Sequence, residues 1–105
     1  MMMTHLTGNT TAAADLLSAM ANQKRLMILV QLLGGERPVG ALAADVGLSQ
    51  SALSQHLSKL RARKLVTTRR DAQTIYYSTN SRAVMMLLRT LADIYDETDM
   101  ESVVI

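Results

Sequence analysis

The chain has no cysteine, tryptophan or phenylalanine, and a single proline. Without cysteine there is no disulfide framework, no thiolate metal site and no thiol redox switch. No stretch approaches the roughly 20 consecutive apolar residues that a membrane-crossing helix needs. The Met1-Met2-Met3 start has no apolar signal core, so a cytoplasmic protein without a membrane partner is expected. Imidazoles are limited to His5 and His56, and no phosphate loop, HxxxH spacing or paired acid and base appears. An enzyme is therefore not expected, nor is a cofactor. One absence is regional: from Val46 to Arg70 there is no acid, while Lys59, Arg61, Arg63, Lys64, Arg69 and Arg70 supply six of the eleven cations. Five of the nine acids (Asp93, Asp96, Glu97, Asp99, Glu101) gather near the C-terminus. Solvation alone explains a charge run but not the loss of one sign. A basic middle and an acidic end imply a polyanion on one surface only.

What fills that acid-free region is a helix with two unlike faces. Ser49 precedes an apolar-periodic run and is placed to cap it, its hydroxyl taking an otherwise orphaned backbone N–H. At 100° per residue Leu53, Leu57 and Leu60 share one face. The opposite face carries Ser51, Gln55, Ser58 and Ala62, flanked by Gln50, Ser54 and Lys59. Short hydroxyls, an amide and a cation suit base edges beside phosphates. Taken alone, such a face is more often simply solvated. Its context decides otherwise. Just upstream, Leu42, Ala43 and Val46 stripe a short helix, and Gly47 stands where a helix ends in a left-handed residue. Short helix, glycine turn and serine-capped helix make a helix-turn-helix.

The remaining elements follow from periodicity. Residues 1–10 lack it and are expected to be a flexible lead-in, with His5 merely solvated. Ala13, Leu16, Leu17 and Met20 predict a first helix from Thr11 to near Ala21. Asn22 is placed to cap a second, Gln23 to Leu33, stopped by Gly34-Gly35. After the helix-turn-helix, Leu65–Arg70 and Thr74–Ser78 are rich in β-branched and aromatic residues and read as a hairpin. Ala72 argues against a tight turn needing positive φ, so a different or longer loop is expected. Arg70 then becomes the hairpin cation best placed for phosphate or minor groove. Of Tyr76 and Tyr77, one packed in the core and one covering it is at least as expected as DNA contact. A last helix starts at Asn80 or Ser81 and runs to about Tyr95, with Leu87, Leu88 and Leu91 in its stripe. With 49% apolar residues and eight methionines, a domain of this size is more apolar than its own core requires. The chain is one domain, expected to bury about 65% of its unfolded surface. Leu16, Leu17 and Met20 with Leu87, Leu88 and Leu91 are therefore expected to form a dimer interface. The domain proper spans 11–96, and 97–105 is a tail.

Several blocks at matching spacing resemble one family. Ala19-Met20-Ala21-Asn22-Gln23-Lys24-Arg25-Leu26 with Ile28-Leu29, then Gly47-Leu48-Ser49-Gln50-Ser51, then Ile75-Tyr76-Tyr77, are similar to the ArsR/SmtB family of bacterial winged-helix repressors. The likeness covers roughly residues 12–96. Arg69 to Tyr77 resembles one branch, which includes a nodulation-gene repressor and thiol-based sulfide sensors. The implied fold is α+β but mainly α: a winged helix-turn-helix with five helices and a two-stranded wing, homodimeric through its first and last helices. The implied partner is a double-stranded DNA operator, and the implied action is repression. Candidate DNA-binding residues are Gln50, Ser51, Ser54, Gln55, His56, Ser58, Lys59, Arg63, Arg70 and Gln73.

The chain departs from the family where sensing is concerned. A proline usually follows the capping residue, where Gln23 stands. Many family wings have glycine at Ala72 and a cation at Gln73. The family's thiolate site falls at Pro38, and its last-helix metal site at Ser81, Ala83, Ile94 and Glu97, of which only Glu97 is a possible ligand. The sulfide-sensing cysteines align with Val30 and Asp96. A repressor without metal or thiol sensing is therefore expected. Two alternatives stay open: a repressor released by an unrecognised effector, and a protein-interaction or dimerisation module with an incidental basic face.

Overall fold

The computed structural model describes residues 2–96; the expected tail, 97–105, with Glu97, Asp99 and Glu101, lies outside the described residues. Six helices and three strands follow in the order α1 Met2–Thr7, α2 Thr10–Met20, α3 Gln23–Leu33, β1 Arg37–Pro38, α4 Val39–Val46, α5 Gln50–Ala62, β2 Thr67–Asp71, β3 Thr74–Ser78 and α6 Arg82–Ile94. Two elements go beyond the sequence reading. One turn and a half of helix, α1, stands where an irregular lead-in was expected and precedes the five expected helices among the described residues. Strand β1 is only two residues long, too short for any periodicity, and it makes the sheet three-stranded in the order β1-β3-β2.

Local chemistry sets the boundaries. Asn22 accepts the Arg25 N–H at 3.1 Å, Ser49 the Ala52 N–H and Ser81 the Val84 N–H, each at 3.2 Å, so three helices start on side-chain caps. Gly47 takes φ 68° and closes α4, with the Leu48 N–H reaching back to the Ala43 carbonyl at 2.9 Å. The Lys24 ammonium donates to the Val46 carbonyl at 2.7 Å and seals the same helix end from α3. Lys64 closes α5 in the same way at φ 59°, with the Leu65 N–H on the Leu60 carbonyl at 3.0 Å.

One core holds these elements together. Ile28 and Leu29 of α3, Leu42 and Val46 of α4, and Leu53, Leu57 and Leu60 of α5 are all but fully buried, joined by Leu65, Val66, Tyr77 and Val84. The buried leucines of α5 are the predicted face, which leaves the polar face outward. Two residues expected at a dimer seam belong to this core instead. Met20 is 4% exposed and Leu88 6%, because α2 and α6 turn those positions onto α3. Leu16 and Leu87 pack against the core in part, while Leu17 and Leu91 stay open.

The wing corrects the loop expectation. Asp71 pairs with Thr74, so only Ala72 and Gln73 connect β2 to β3, and Ala72 takes φ 57°. The turn is tight despite lacking glycine. Full strand pairing from Thr67–Ser78 to Asp71–Thr74 fixes the register, and the sheet imposes on Ala72 a conformation its Cβ disfavours.

Candidate DNA interface

The face of α5 opposite its buried leucines is open to solvent. Gln50, Ser51, Ser54, Gln55, Ser58, Lys59 and Arg63 are all exposed along it, and Arg70 and Gln73 are exposed on the wing. The Ser51 hydroxyl lies 3.3 Å from that of the capping Ser49. The Gln55 side chain makes no hydrogen bond within the described residues and is free to present its amide. Lys59 and Arg70 form no ion pair within them either.

Two other cations are tied down. Arg63 meets Asp15 of α2 at 3.3 Å, both about half exposed, so its charge is turned toward α2. Arg69 lies over the ring of its cross-strand partner Tyr76, 4.5 Å from the centroid. Beyond that ring it donates two hydrogen bonds of 2.7 Å to Glu36, which precedes β1 on the far side of β3. These bonds hold the Glu36 carboxyl below its ordinary range and raise the Arg69 guanidinium further. Tyr77 is buried and Tyr76 half-buried beneath Arg69, which matches one of the two readings the sequence left open.

His56 is set back from the exposed face. It is half-buried, with Nδ1 3.3 Å from Nη1 of Arg25. Burial first, then the positive charges of Arg25 and Lys59, push its pKa down from the ordinary value. Of the residues expected at DNA, it is the one whose ring is partly withdrawn and engaged within the domain. Sequence reasoning did not single out Arg25, Lys24 or Glu36 as working residues. The only signal was that Lys24 and Arg25 interrupt the apolar pattern of α3 directly after its cap.

Away from this surface, Leu17, Met20, Leu26, Leu87 and Leu91 line an open apolar groove of about 240 Å³ between α2, α3 and α6. A second, of about 410 Å³, lies on the other side of Leu91 against Val30 and Tyr95. Among the described residues no three His, Cys, Asp or Glu side chains come together as metal ligands. No described helix is long and apolar enough to cross a membrane.

A capped recognition helix behind a glycine-closed helix, followed by a two-stranded wing, defines a winged helix-turn-helix protein. Residues 22–68 match the family model described as bacterial regulatory protein, arsR family. The nodulation protein NolR of Rhizobium meliloti is 69% identical over 88 residues, 83% of this chain and 72% of that protein. The crystal structure of NolR from Sinorhizobium fredii superposes with a TM-score of 0.81 at 64% identity, covering 85% of this chain and 89% of that one. The homodimeric winged helix-turn-helix DNA-binding domain of a Mycobacterium bovis protein aligns at 32% identity with a TM-score of 0.76, over 88% and 85% of the two chains. The chain belongs to the ArsR family. It is a DNA-binding transcriptional regulator and not an enzyme.

Proposed function

We propose that the protein represses transcription as a homodimer seated on a two-fold operator in cytoplasmic duplex DNA, without metal or thiol sensing. The observation that carries this reading is the exposed, acid-free face of α5, with Ser51 and Gln55 unburied on it and the cations Lys59 of the same helix and Arg70 of the wing exposed and unpaired. Base edges are read by Ser51 and Gln55, with Gln50, Ser54 and Ser58 at the margins; Lys59 and Arg70 neutralise phosphate, and Gln73 lies at the wing tip. The open apolar face of α2, α3 and α6 takes the second copy, placing two α5 helices about 34 Å apart, one turn of duplex. The likeness to NolR favours nodulation-gene control.

A genome-wide footprint followed by binding of the recovered duplex at several salt concentrations tests this. Lys59 and Arg70 of two protomers predict that log K falls against log salt with a slope of at least about −3.6. Footprints upstream of genes that rise on deletion support repression. Absence of any salt-dependent duplex binding overturns the reading in favour of a protein-interaction module.

A further inference from the structure

The Arg25 side chain joins three helices. From the first turn of α3 its Nε donates to the Ala19 carbonyl at 2.6 Å and Nη2 to the Ser18 carbonyl at 3.5 Å. Both carbonyls belong to the last turn of α2, where those of Leu17 and Met20 take the Ala21 and Asn22 N–H groups, each at 2.8 Å, and those of Ser18 and Ala19 take Arg25. Its Nη1 faces Nδ1 of His56 on α5 at 3.3 Å. A guanidinium only donates, so His56 Nδ1 must accept, which places the imidazole proton on Nε2. His56 follows Gln55 directly and precedes Lys59 by less than a turn.

We infer that Arg25 and neutral His56 form a strut that positions the recognition helix against α2, so that protonating His56 lowers operator affinity. This rests on the operator-binding reading above. A proton on Nδ1 would set donor against donor and cation against cation. Arg25 approaches from α3 and Lys59 lies on α5, while α2 brings Asp15, which is engaged by Arg63 across the same notch. Partial burial disfavours a proton on the ring, and the charges of Arg25 and Lys59 act in the same direction. The other side of α2 carries Leu17 and Met20 on the apolar groove. A strut from Ser18 and Ala19 to His56 therefore sets the distance between that face and the DNA-reading helix.

Operator affinity measured from pH 5 to 8 tests the strut in the parent, His56→Gln and His56→Leu. The parent should bind uniformly above about pH 7 and lose several-fold as pH falls through the His56 titration. His56→Gln, whose amide oxygen can accept from Arg25, should keep near-parental affinity at neutral pH and lose the pH dependence. His56→Leu should be about tenfold weaker throughout, the effect of one charge-assisted hydrogen bond. Affinity that rises on acidification would mean His56 meets phosphate directly and overturns the strut. So would an unchanged pH profile in His56→Gln, which would assign the titration elsewhere. Ring ¹⁵N shifts of His56 in the DNA-free protein give an answer independent of operator binding: the Nε2–H form is expected, and an Nδ1–H ring overturns the proposal even if the operator reading stands.

Discussion

Glu36 and Arg69 clamp the wing to the body of the domain, the guanidinium spanning the middle strand to make two parallel 2.7 Å bonds with the carboxylate. A bidentate pair fixes direction better than a lysine would. Both groups are largely exposed, so the clamp orients the wing more than it stabilises the fold. The Glu36 pKa is lowered by Arg69, so the pair's contribution is present above the ordinary carboxylate value of 4.5 and is lost as pH falls through the depressed folded value. Glu36→Gln should leave the melting temperature within a degree or two, yet speed amide exchange across β2 and β3. It also removes an acid beside the wing cations, so non-specific duplex affinity should rise and the salt slope steepen by about 0.9 if Arg69 then reaches phosphate. Unchanged exchange in the wing would show that strand pairing alone holds it.

Ala72 at φ 57° is a strained position within a paired hairpin. A left-handed conformation costs a non-glycine residue about 1–2 kcal/mol, and glycine's greater unfolded-state freedom offsets about 0.4–1 kcal/mol of the relief. Ala72→Gly should therefore stabilise the protein by about 0.5–1 kcal/mol, raising Tm by several degrees. Ala72→Val, branched at Cβ, should lower it. Calorimetry of the two variants checks the sign directly.

Ser51 and Gln55 present hydrogen-bonding groups from the centre of the exposed face of α5. Replacing either by alanine should cost about 1–3 kcal/mol on the preferred operator and relax specificity at one base pair. Neither touches the core, so the melting temperature should hold. If both variants discriminate operator from random duplex as the parent does, another element reads the bases.

The cations divide by their partners. Lys59→Ala and Arg70→Ala should each lower the magnitude of the salt slope by about 0.9 per protomer, with equal losses on all sequences. Arg63, engaged by Asp15, should change the slope less. Asp15→Asn would release it, and the slope should then steepen. Titrations of these variants at several salt concentrations separate phosphate contacts from ordinary surface charge.

Most of the fold was legible because periodicity and caps agreed. The α3 bounds, the Ser49 and Asn22 caps and the Gly47 turn each have a one-residue physical signature. The misses share a cause. Ala72 and Lys64 adopt positive φ without being glycine, since pairing and helix closure override local preference there. Strand β1 exists only because Arg37 and Pro38 meet Tyr77 and Tyr76, a partnership made in space. In the site, exposure of the α5 face followed from the burial of its leucines. The engagement of Arg63 by Asp15, of Arg69 by Glu36 and of His56 by Arg25 did not, because each partner lies at least 31 positions away. Sequence told which residues are polar but not which are already occupied.

Leu17 and Leu91 face each other across an open apolar groove, 54% and 36% exposed, with Val30, Ile94 and Tyr95 bare nearby. This is the surface a second copy should cover, and it identifies where a disruptive charge belongs. Leu88 is the wrong place: at 6% exposure it sits in the protomer's core, and glutamate there would unfold the monomer. Leu91→Glu leaves the carboxylate in water in a single protomer but buries it unpaired in a dimer, costing several kcal/mol. Two half-operators read by one joined molecule gain affinity through effective concentration, which a monomer forfeits. The expected variant is helical by circular dichroism, melts near the parent at low concentration, sediments as a monomer and binds a full operator at least tenfold more weakly. A monomeric variant with parental operator affinity would show that one α5 suffices. A parent that itself sediments as a monomer at micromolar concentration would leave the α2–α6 groove without its second copy.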